Sequence, residues 1–138
     1  MSPLVRRVRA VVAAVVVGGG IVMLVEAFAA QLHPLPPGVD PRDRAALERA
    51  LEAGQVPFAA LALVLSGWLL AAYTGGLVAW RIGRWGPASW IFAGIFTVAV
   101  FSNLQAFPHP TWMWIGGLGG CPLFALGGGH RTLQVPKA

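Results

Sequence analysis

Four side chains able to bind a ligand or carry a proton stand in or beside long apolar runs: Glu26, His33, Asn103 and His109. Glu26 is the only charged residue of residues 10–32, AVVAAVVVGGGIVMLVEAFAAQL. A carboxylate inside a membrane span costs about 2.5–3.5 kcal/mol on insertion scales, so Glu26 is expected to face protein or protein-held water. By three- and four-residue spacing, Gly19, Val22, Glu26, Ala30 and His33 share one face of a helix. Glu26 then lies roughly 8 Å inside the helix end. Ser102, Asn103 and Gln105 come to similar depth late in a third apolar run, and His109, Trp112 and Trp114 open a fourth.

Two chemistries follow from that grouping. A carboxyl shielded from bulk water can load and release a proton or hold a cation. The plainer alternative is a carboxyl that ties the first helix to the third through Asn103 or Trp114. Glu26, His33 and His109 also make up the two-histidine, one-carboxylate set that zinc or iron accepts. The spacing gives little support, since the histidines lie on different connections and neither H-x-x-x-H nor H-E-x-x-H occurs. No metal and no cofactor is expected. The glycine clusters carry no Walker or Rossmann spacing after a strand. Cys121, the single cysteine, excludes an internal disulfide, and no base lies at its depth. Ser66, with Tyr73 and Thr74, is a further candidate for a polar path through the second run, although such hydroxyls more often bond their own helix.

The elements that must position these groups are membrane helices. The chain of 138 residues is 57% hydrophobic and 11% charged, against about 25% charged in soluble domains, and its mean hydropathy is +0.69. The net charge of +5 does not indicate a nucleic-acid partner, because the basic residues are scattered at run ends and form no patch. The partner is the lipid bilayer, with a homo-oligomer or larger membrane complex open.

About 20 apolar residues cross a bilayer, and four stretches qualify: 10–32, 56–80, 87–107 and 111–128. Pro108-His109-Pro110 separates the last two, because two prolines so close cannot continue a helix. Within the second, Gly67, Ala71, Gly75 and Ala79 recur every fourth residue, a ridge that lets another backbone approach, inside the chain or between subunits. Residues 33–55 form the only sizeable polar loop. Its HPLPPGV lead-in is stiff, Asp40-Pro41 reads as N-cap and N1, and Gly54 as the residue past the helix end. The short amphipathic helix between them is expected on the membrane surface or over the bundle mouth.

The expected fold is thus an all-α, single-domain, up-down four-helix transmembrane bundle over 1–138, organised around the first span. Residues 1–9, the 81–86 turn and the tail carry Arg and Lys without acids. The 33–55 loop sets three arginines against Asp40, Asp43, Glu48 and Glu52. Both termini are therefore expected in the cytoplasm of a bacterium, with the loop and the Pro-His-Pro turn outside its inner membrane. A cleaved signal has the same outline, with Ala27-Phe28-Ala29 as its site. Against it, the apolar region is long and Glu26 would sit just before the cut.

Glu26 late in the first span, Leu35-Pro36-Pro37-Gly38-Val39-Asp40 in the loop, and Pro108-His109-Pro110-Thr111-Trp112 before the last span together resemble a group of small, uncharacterised, four-span bacterial membrane proteins. That resemblance covers most of the chain and implies no activity. A carboxylate in the first of four helices is also similar to the small multidrug resistance exporters. The structured outer loop and the position of Glu26 near one face depart from that pattern, so the likeness is one of analogy. The expected function is non-enzymatic, a structural or accessory subunit or binding module with a polar site around Glu26. The alternative is a small proton-coupled transporter.

Overall fold

The computed structural model describes residues 2–130, and within them the chain is helical with no strand. In order come α1 (Pro3–Leu32), α2 (Arg44–Glu52), α3 (Phe58–Gly83), α4 (Pro87–Ala106), α5 (Thr111–Ile115), a π-helical segment (Gly116–Gly120) and α6 (Cys121–His130). The last three follow without a break and make a fourth rod.

α1 starts earlier than its apolar run, because Ser2 caps it and Pro3 occupies its first turn. The Ser2 hydroxyl accepts from Val5 N at 3.3 Å. The arginines of the leader are therefore helical, and the Arg7 guanidinium lies 4.5 Å over the Trp85 ring. α3 ends where Arg84 turns left-handed at φ 46°, and Pro87 in the first turn restarts the chain as α4. In the fourth rod Pro122 has no N–H to give to the preceding turn. The five-residue π-helical turn, four glycines and Leu118, stands just before it.

Close approaches set the direction of each rod. A methyl group at Gly67 would lie 2.6 Å from Val25, and one at Gly83 would lie 3.3 Å from Ala10, so α1 and α3 run antiparallel. Gly75 faces Phe92 and Gly76 lies against the Ala125 backbone. The Gly75–Phe92 contact and the Ser89 hydroxyl, which donates to Gly76 O at 3.0 Å, make α4 antiparallel to α3. Gly116 against Leu65 and Gly120 against Leu69 make the fourth rod parallel to α3. The order is up-down-up-down.

The hub is α3, not the first helix as the sequence suggests. α3 packs against α1, α4 and α6, while α1 has its extensive contact with α3 and a lesser one with α4. Gly67, Ala71, Gly75 and Ala79 are all buried within the chain, so the ridge serves an internal contact. Trp68, Phe92, Leu104, Met113 and Cys121 are the largest fully buried side chains. Cys121 is thus a core residue. α1, α3 and α4 are long and apolar enough to cross a membrane.

Between α1 and α3, α2 is capped by Asp43, whose carboxylate accepts from Ala45 N and Ala46 N, rather than by Asp40. Asp40 instead builds the turn before the helix, accepting from Arg42 N at 2.8 Å. Gly54 does close the helix, at φ +67°.

Candidate functional site

The antiparallel order brings the C-terminal ends of α1 and α4 together with the start of α3 and the turn before α5. A pocket of about 350 Å³ lies there, roofed by Leu47 and Leu51 of α2. Glu26, His33, Asn103 and His109 all line it, among walls formed largely by Leu35, Leu61 and Val64. A concave, mainly apolar site with a few convergent polar groups is the usual form of a small-molecule pocket. α2 therefore lies over the bundle mouth.

The carboxylate is half-buried, and its partner is neither Asn103 nor Trp114. Trp68 of α3, one residue past Gly67, donates its indole N–H to Glu26 Oε1 at 3.1 Å. The close contact at Gly67 brings α3 near α1, and Trp68 turns inward beside it. Trp68 also packs against His109, ring centroids 5.7 Å apart and tilted by 58°. A single indole thus joins the carboxylate of α1 to the histidine of the α4–α5 turn. Nothing in the sequence marks it, since Trp68 sits within an uncharged run where a tryptophan reads as core.

His109 Nδ1 lies 2.9 Å from Phe107 O. A carbonyl only accepts, so Nδ1 carries the proton and Nε2 of the neutral ring is an acceptor. Burial holds the His109 pKa below its usual value, opposed by the Phe107 carbonyl and by the negative charge of Glu26, with Arg44 adding to the lowering.

The remaining candidates lie apart from this pocket. Ser102 and Ser66 are exposed and bond back to Val98 O and Ala62 O of their own helices. Ser66 borders a separate hollow with Tyr73 and Phe124. Trp114 packs edge-on against Phe101 at 6.1 Å. Gln105 is exposed, and its backbone carbonyl accepts from Arg44 of α2. That contact places a cation at the α4 C-terminus, where carbonyls lack helical partners. Among the described residues, no three His, Cys, Asp or Glu side chains come together as metal ligands, so Glu26, His33 and His109 share a pocket without forming a coordination site.

A second cavity of about 300 Å³ runs between α1 and α4. Trp68 and Asn103 line it, and Val22, one turn before Glu26, forms part of its α1 wall. The chain matches no protein-family model, no curated protein and no solved structure in the comparisons made.

Proposed function

We propose that this chain is a four-span helical membrane protein that works as a non-enzymatic binding module. The pocket around Glu26 would receive a small, largely apolar ligand from the outer side of a bacterial inner membrane. The observation that carries this reading is the convergence of Glu26, His33, Asn103 and His109 on one pocket beneath α2. The fourth span is the rod from Thr111 to His130, whose residues carry no Lys, Arg, Asp or Glu. Cytoplasmic termini follow from the arginines of residues 1–9 and of the 81–86 turn, set against the acid-rich loop over the pocket.

Native mass spectrometry of protein extracted from its own membrane tests the reading. Ala30 lines the pocket and is itself exposed, so Ala30→Trp should fill the space without disturbing the core. Wild-type protein should carry a bound small molecule and the variant should not. Equal occupancy in both, or none in either, overturns the assignment.

One observation favours proton-coupled transport as a second reading. The carboxylate that lines the outer pocket is bonded to Trp68, which lines the second cavity. A proton on Glu26 would therefore be felt at the edge of the second cavity. In reconstituted vesicles a transporter loses pH-dependent flux on Glu26→Gln, whereas a binding module shows no flux in either form.

A further inference from the structure

The second cavity is open to the side of the bundle. Its rims, Met23 on α1 and Ile95 on α4, are 74% and 44% exposed. Its floor is the buried pair Trp68 and Phe92. At Gly19 an added methyl group meets nothing within 4 Å, so the α1 wall is hollow where it borders the groove. The groove is apolar along its length except at Asn103, and Asn103 is also the residue that it shares with the Glu26 pocket. A hydrocarbon groove thus runs up to a polar site.

Asn103 brings both donors and an acceptor to the polar site, but the groups at the carboxylate and the histidine are acceptors. The Trp68 N–H, the one indole donor at the carboxylate, is already given to Glu26 Oε1, and the bond leaves the second carboxylate oxygen for another partner. His109 spends its ring proton on Phe107 O, so Nε2 offers a lone pair. A negative oxygen and a neutral imidazole nitrogen together call for a ligand head with several N–H donors and a positive charge. A carboxylate or phosphate head would meet repulsion at Glu26.

We infer that the ligand is a lipid-like primary amine whose protonated head enters the Glu26 pocket and whose hydrocarbon chain lies in the groove between α1 and α4. This rests on the binding-module reading and names its ligand class. Entry would be lateral, from the outer leaflet of the bilayer, with α2 covering the head. The groove is a site for a chain rather than a protein helix because it meets the pocket at Asn103, and the acceptor pair there calls for a charged end.

The test uses full-length protein in phosphatidylcholine nanodiscs, with butylamine, dodecylamine and dodecanoate as probes, read by calorimetric titration. Gly19→Leu fills the groove where there is open space, and Ala30→Trp fills the pocket. Gly19→Leu should weaken dodecylamine by about tenfold and leave butylamine nearly unchanged, while Ala30→Trp weakens both amines. Dodecanoate should not bind the wild type. Comparing variants in the same lipid cancels partitioning of the longer probe into the bilayer. If Gly19→Leu affects both amines equally or neither, the groove assignment falls while the pocket reading stands. If dodecanoate binds as well as dodecylamine, the amine assignment falls. If Ala30→Trp changes the binding of neither amine, the pocket reading itself fails.

Discussion

Trp68 reaches across the α1–α3 contact to hold Glu26, indole nitrogen to carboxylate oxygen at 3.1 Å. The bond needs only an acceptor, and a glutamine oxygen supplies one. Glu26→Gln should therefore fold with nearly wild-type stability. Glu26→Leu strands the buried indole N–H and should cost about 1–3 kcal/mol. Trp68→Ala removes the bond and a large core side chain together, at about 3–5 kcal/mol. Reversible unfolding in mixed micelles would rank the three. Equal losses for Gln and Leu would mean that the charge, not the hydrogen bond, matters.

Glycines on α3 and α1 should respond oppositely to the same change. At Gly76 an added methyl group runs into the Ala125 backbone carbonyl, and backbone cannot rotate away as a side chain can. Gly76→Ala should destabilise by about 1–3 kcal/mol or more, as overpacking does. At Gly20 the methyl meets nothing within 4 Å, and alanine is the better helix former by roughly 0.8–1.0 kcal/mol in water. Gly20→Ala should be neutral or mildly stabilising. Comparing the unfolding midpoints of the two variants is the measurement, and a destabilised Gly20→Ala would contradict the packing described.

These contrasts show what the residue pattern could and could not reveal. The ridge Gly67, Ala71, Gly75 and Ala79 is legible because small side chains every fourth residue have one physical use in a membrane helix. The convergence of Glu26, Asn103 and His109 is legible too, since span ends fix depth. The hub is not. The best window of α1 has mean hydropathy 2.4 and is 17% buried, while those of α3 and α4, at 1.8 and 1.5, are 33% and 39% buried. Among these three windows the most apolar is the least buried. High hydropathy therefore pointed to the periphery, and small residues pointed to the centre. Trp68 is not legible for a related reason. Its indole partner is three-dimensional, forty-two residues away, and no spacing encodes it. The Asp43 cap was masked by Asp40-Pro41, a pair that imitates a helix start but makes a turn.

Acid should loosen the pocket end. His109 has its folded-state pKa lowered from 6.5, chiefly by burial, so the unfolded chain binds a proton more readily than the folded one. Stability from this group is intact above pH 6.5 and falls as the pH drops from there through the lower folded value. Glu26 opposes the shift and Arg44 reinforces it. His109→Gln should flatten this part of the stability profile. Unfolding midpoints of wild type and variant, measured from neutral pH downward, give the comparison. Parallel profiles would rule His109 out as the source.

α2 should be the most easily released part of the structure. Its sequence buries only Ala50 fully, and its tether is Arg44. That guanidinium pairs with Glu48 at 2.8 Å and donates to the Gln105 carbonyl at the end of α4. Both side chains of the pair are about half exposed, and exposed pairs contribute only about 0–1 kcal/mol. Arg44→Ala should therefore change global stability by less than about 1 kcal/mol while freeing the roof of the pocket. Hydrogen exchange resolves the two effects. Amides of Arg44–Glu52 should exchange faster in the variant, and those of α3 should not. If α2 stays protected, the apolar contact of Leu47 and Leu51 with the pocket holds it in place, and Arg44 is dispensable for the lid.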